Sequence, residues 1–210
     1  MGDTKPTGKL SAGGVGGILL CASFALTLVA AFSGGGGGMG VMGGGILGLI
    51  GVLLLVGGGI CHALGFFGLG AIHGGTNKVG GIFTLILGIM PVVLFIVGII
   101  AVGSAGSGGM SRGGAEATGG ILGVLAIVMA LSLALSGILG GIGLMASSVG
   151  LAKPAGILLI VGGSLVVLQF LNGLVLGVGI IGTITSYGVP AALGVAYLLS
   201  GLTMFAERNT

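Results

Sequence analysis

Apolar residues in this chain come in long runs, and most polar residues fall between them. A helical run of about 18 residues or more reaches across a hydrocarbon layer about 30 Å thick. Taking charge, proline and dense glycine as breaks divides the chain into six predicted spans. They cover residues 11–33, 46–72, 79–102, 119–146, 155–182 and 188–206. Between them lie the glycine-rich stretch 34–45, the segment His73–Lys78, a polar loop over 103–118, Ser147 to Pro154, and a short turn at Thr185-Ser186-Tyr187. The predicted fold class is all-α, a polytopic membrane helical bundle of six transmembrane helices in a single integral domain over 1–210.

Composition strengthens that reading. Of 210 residues, 55% are hydrophobic, 4% are charged and 53 are glycine, where a soluble domain carries about a quarter charged residues. A water-soluble globular fold is excluded on those grounds. Disorder requires low hydrophobicity, and collagen requires glycine at every third position with abundant proline; neither holds. The net charge of +3 is thinly spread, with no basic cluster of the kind that neutralises phosphates, so no nucleic-acid partner is expected. Cys21 and Cys61 both fall inside apolar runs and read as small buried hydrophobes rather than a disulfide framework.

The basic residues orient the bundle. With the N-terminus inside, Lys5, Lys9, Lys78, Lys153 and Arg208 share the cytoplasmic side and Arg112 lies opposite, as the positive-inside rule favours. Both termini are then expected in the cytoplasm, with the protein integral to a plasma or inner membrane. A competing reading takes Lys5 and Lys9, the following apolar stretch and Ala31-Phe32-Ser33 as a cleaved signal peptide, although the apolar part exceeds the usual 7–15 residues.

Two ordered matches point to an internal duplication. Gly16-Gly17-Ile18-Leu19 recurs as Gly119-Gly120-Ile121-Leu122, and residues 51–58 (GVLLLVGG) recur as 156–163 (GILLIVGG). The first half, 1–102, and the second, 119–206, would each hold three spans. A three-span unit reverses direction between copies, the 3+3 inverted repeat of many transporters.

Lipid gives helices no hydrophobic reason to associate, so small residues must supply close packing. The last predicted span carries Gly188, Ala192, Ala196 and Ser200 on one stripe, and the fourth carries Ser132, Ser136 and Gly140. Further ladders run through Gly40, Gly44 and Gly48, and through Gly173 and Gly177. So many small residues anticipate a tight bundle that meets other membrane subunits or further copies of itself.

Polar side chains at membrane depth are the candidate functional groups. His62, Gln169, Asn172 and Tyr197 form the candidate midplane site. The pairs Gly57-Gly58 and Gly162-Gly163 lie about one turn before His62 and Gln169, where glycine can loosen a helix. Pro91 deprives the Leu87 carbonyl of its partner and is expected to kink the third span. No Asp, Glu, Lys or Arg falls inside a predicted span, which disfavours an ion-coupled pump.

Catalytic readings are weak: Ser104-Ala105-Gly106-Ser107-Gly108 has no histidine placed to activate it, and Cys61 and His62 diverge around their helix. Met39 and Met42 offer soft ligands in a loop, but no metal or cofactor motif occurs. The expectation is a non-enzymatic helix-packing subunit, structural or accessory, in a membrane assembly, needing no metal or cofactor. Its partners are membrane lipid and other membrane chains or copies. The alternative is a small channel or facilitator for a neutral or weakly acidic solute.

Overall fold

A computed structural model describes residues 6–32, 45–106 and 112–210, which are helical apart from short connections. The helices are α1 (Thr7–Phe32), α2 (Gly45–His73), α3 (Gly75–Gly106), α4 (Arg112–Leu144), α5 (Ala152–Leu171, prolonged by a π-helical turn, Asn172–Leu176) and α6 (Gly179–Asn209). All six are long and apolar enough to cross a membrane. Each packs chiefly on its neighbours in sequence, and α6 returns to α1, so the helices close a ring. Phe24, Phe66, Leu69, Leu144, Leu159, Leu193, Tyr197 and Met204 belong to the core. Large apolar side chains face outward on all six helices, among them Val15, Leu53, Ile99, Val124, Ile157 and Ile184.

Glycine makes the ring tight by letting backbones meet. A Cβ on Gly16 would lie 2.7 Å from the Gly58 carbonyl of α2, and one on Gly17 2.8 Å from Gly201 Cα of α6. Around α4, Gly137 and Gly141 oppose Gly163 and Gly156 of α5, while Gly140 opposes Gly80 of α3. The α2–α3 seam is Gly59 against Gly88. Among the predicted packing residues, Ser132, Ser136, Gly140, Ala196 and Ser200 are buried, whereas Gly188 and Ala192 are half-buried at the edge of their stripe.

Several boundaries differ from the sequence reading. The last turn lies at Gly177-Val178, and Thr185-Ser186-Tyr187 sits inside α6. Thr185 does not break the helix because its hydroxyl donates to its own backbone, 2.9 Å from the Ile181 carbonyl. Gly177 turns the chain with φ 59°, a left-handed conformation natural to glycine, and Asn172 Oδ1 accepts the Val178 N–H at 2.9 Å. The expected Gly173–Gly177 ladder is therefore absent: Gly173 faces open space and Gly177 serves the turn.

Pro190, close to the start of the predicted sixth span, is well inside α6, so the third helix of each half carries an interior proline. The flanks of the 103–118 stretch are also helical, to Gly106 and from Arg112, in keeping with the helix-forming Ala115, Glu116 and Ala117. The glycine run 34–44, with Gly40, Gly44, Met39 and Met42, and residues 107–111 lie outside the described residues.

The matched segments do not make matched contacts. Gly16 opposes Gly58, yet its counterpart Gly119 faces open space, and Gly163 meets the Ala134 carbonyl instead. The α1–α2 and α4–α5 hairpins pair in different registers.

Candidate functional site

His62, Thr84, Ser136, Tyr197 and Ser200, all buried, gather in one layer where α1, α2, α3, α4 and α6 meet. His62, on the inward face of α2, is fully buried, with Nδ1 2.9 Å from the Gly13 carbonyl of α1. A carbonyl only accepts, so Nδ1 carries the hydrogen and the neutral ring offers Nε2 as acceptor. Ser200 of α6 answers it at 2.9 Å, its hydroxyl also lying 3.0 Å from the Tyr197 carbonyl. The Tyr197 ring stands edge-on to His62, with centroids 5.2 Å apart, and Phe66 takes the same attitude at 4.9 Å. Phe24 of α1 stacks on the other side of Tyr197 at 5.8 Å.

A second chain starts at the Tyr197 hydroxyl, 3.3 Å from Ser136 Oγ of α4. Ser136 bonds Thr84 Oγ1 of α3, and Thr84 donates to the Gly80 carbonyl at 2.9 Å. The direction follows from that last acceptor: Tyr197 donates to Ser136, Ser136 to Thr84, and Thr84 to the backbone. Each hydroxyl is used as donor, and both chains finish on helix carbonyls. The arrangement binds five helices together and leaves no donor of these residues free. Ser23 does the same between α1 and α2, donating to the Gly51 carbonyl at 3.1 Å.

Of the predicted midplane set, His62 and Tyr197 come together, and Gln169 and Asn172 do not join them. Gly137, next to Ser136, meets the Leu159 carbonyl and Gly163, so this stretch of α5 is level with the polar layer. At about 1.5 Å per residue, Gln169 lies roughly 9 Å and Asn172 roughly 13 Å farther along. The displacement follows from the earlier α5–α6 turn, which moves the middle of α5 back towards Gly163. Half-buried Gln169 and the turn-capping Asn172 thus belong to the far part of α5. Gly57 and Gly58 lie in unbroken α2, and Gly162 and Gly163 in unbroken α5. Gly58 receives Leu20 of α1, and Gly162 receives Leu193 of α6. Pro91 is buried within continuous α3.

A second polar cluster at one end of the ring escaped the sequence reading. Glu207, beyond the predicted sixth span, is buried at 6% exposure in the last turns of α6. Its Oε1 is 2.7 Å from His73 Nε2 of α2, and its Oε2 accepts the Ser147 hydroxyl, also at 2.7 Å. Nearby on the α3–α4 seam, buried Asn77 donates to the Gly143 carbonyl at 3.1 Å. The available signal was spacing: Tyr197, Ser200 and Glu207 recur on one face of α6, as His62 and His73 do on α2. Thr84 was legible as the lone polar residue of its apolar run. Among the described residues, no group of three His, Cys, Asp or Glu converges as a metal site.

Comparison with protein families, curated proteins and solved structures returns no match to this chain.

Proposed function

We propose that the protein is a non-enzymatic polytopic membrane protein, acting as a structural or accessory helix-packing subunit of a membrane assembly. One observation carries this reading: the interior polar layer is spent on itself. Each donor from His62, Ser200, Tyr197, Ser136 and Thr84 meets another side chain or a helix carbonyl. Interhelical bonds of this kind contribute about 0.6 kcal/mol each in membrane proteins and fix which faces meet. The outward apolar faces are then what remains for lipid and neighbouring subunits. The test is the mass of the particle extracted in nanodiscs with native partners retained. A heteromeric complex is expected; a particle containing this chain alone would overturn the reading.

The second reading is a small channel or facilitator for a neutral or weakly acidic solute. It is favoured by the position of the polar layer inside the ring, with buried Glu207 towards one end. Solute flux through reconstituted vesicles tests it, and vesicles no more permeable than protein-free ones would remove it.

Orientation and symmetry belong to the same proposal. The antiparallel order brings Lys9, Lys78, Lys153 and Arg208 to one end, which supports a cytoplasmic location for both termini in a plasma or inner membrane. The 3+3 inverted repeat draws support from contacts rather than from the matched segments. Each of α1 and α4 is gripped through glycine on two sides, and α3 and α6 each hold an interior proline.

A further inference from the structure

At the basic end of the ring, two lysines lie against α2 from opposite sides. Lys9 of α1 rests on Gly68, where an added Cβ would lie 3.2 Å from Lys9 Cβ. Lys78 of α3 covers Gly70, its backbone nitrogen 3.0 Å from the equivalent position. Gly68 and Gly70 point to opposite flanks of the helix, with exposed Ala71 between them. Both lysines are exposed, and among the described residues neither has an ion pair or hydrogen bond. The nearby carboxylate of Glu207 is turned inward to His73 and Ser147.

Between the lysines an apolar strip runs down the outward face of α2. Leu64, Ile60 and Leu53 are 40%, 37% and 62% exposed and share that face with Ala71. From Ala71 to Ile60 the helix advances about 16 Å, close to the depth of one leaflet. A helix with its side chains is about 10–12 Å across, so the two lysine stems start roughly that far apart on the flanks of α2, a gap that two long flexible side chains can close onto one phosphate.

We propose that this face of α2 binds an anionic phospholipid, with Lys9 and Lys78 on the headgroup phosphate and an acyl chain along Leu64, Ile60 and Leu53. Two cations without an acidic partner among the described residues ask for an anion, and the strip beneath them asks for a chain, a combination that inorganic phosphate does not offer. The glycines matter because any larger side chain at Gly68 or Gly70 would displace a lysine stem. The proposal rests on the reading that the helices span a bilayer.

The test measures lipid retained by the purified full-length protein, using native mass spectrometry with phosphatidylglycerol, phosphatidylcholine or inorganic phosphate. Phosphatidylglycerol alone is expected to be retained. Lys9→Gln or Lys78→Gln should weaken its binding roughly fivefold each, matching about 1 kcal/mol per basic residue at an anionic surface. The paired Lys→Arg variant should retain it, as should Lys153→Gln at the same end. Equal binding of phosphatidylglycerol by the parent and by the paired Lys→Gln variant would overturn the site. So would equal retention of phosphatidylcholine, or binding of free phosphate with the same lysine dependence. Alkaline washing of the parent membranes separates the two failures. Release by the wash would sink the spanning reading, whereas retention with lysine-independent lipid binding would sink only the lipid site.

Discussion

His62 satisfies both ring nitrogens across helix boundaries, to Gly13 of α1 and Ser200 of α6. Leucine there forfeits both bonds and the edge contacts to Phe66 and Tyr197. His62→Leu is expected to lower stability by about 1–3 kcal/mol, read by thermal unfolding in nanodiscs. An unchanged midpoint would show that the network holds nothing together. Glu207 is the other residue on which several elements converge, since its carboxylate accepts from Ser147 and meets His73. An amide cannot present two acceptor oxygens. Glu207→Gln should therefore destabilise by roughly 1–3 kcal/mol, and the same unfolding measurement checks it; Thr210→Ala, at the exposed terminus, should be close to neutral.

At the scale of the element, backbone contact sets the tolerance of each helix face. Gly137 has the Leu159 carbonyl and Gly163 Cα within 2.8 and 3.1 Å of an added Cβ, so leucine there must force α4 from α5. The small-residue stripe of α6 is graded in the same way, with Ala196 fully buried and Ala192 at its margin. Ala196→Leu is expected to cost about 1–3 kcal/mol as overpacking, and Ala192→Leu less. Thermal-shift measurements on both variants test the grading, and equal losses would place the interface elsewhere on the helix. The stripe was legible from i, i+4 spacing, which identifies a face. Its buried centre was not legible, because that depends on where Phe24 of α1 and the neighbouring helices press.

For the whole molecule, the position of the last turn changes what the outer surface presents. Val175, at 77% exposure, stands beside the Gly177-Val178 turn, while Thr76 lies in the first turn of α3 at the opposite, basic end. On a Cys21/Cys61-free background, an impermeant thiol reagent added outside cells should label Val175→Cys and spare Thr76→Cys. Labelling of Thr76→Cys from outside would reverse the proposed orientation.

What the sequence determined by itself was the class and the count. Apolar runs as long as a bilayer is thick, with 4% charged residues, leave helices that bury every backbone hydrogen bond as the available architecture. Length and hydropathy are local sums, so they survive without knowledge of neighbours. Small-residue seams, and His62 and Tyr197 as polar side chains inside apolar runs, were legible for the same reason.

The tertiary structure alone decided the partners. Thr185 reads as a break until its hydroxyl is seen bonded within α6, and the apolar Gly177-Val178 turn carries almost no polar signal. That one turn shifted the register of α5 and removed Gln169 and Asn172 from the layer that His62 and Tyr197 share. Glu207 falls just outside the predicted sixth span, and its burial depends on His73 and Ser147, 134 and 60 positions away in the chain. Hydrogen bonds between helices depend on rotation and register, and neither quantity is contained in any single apolar run.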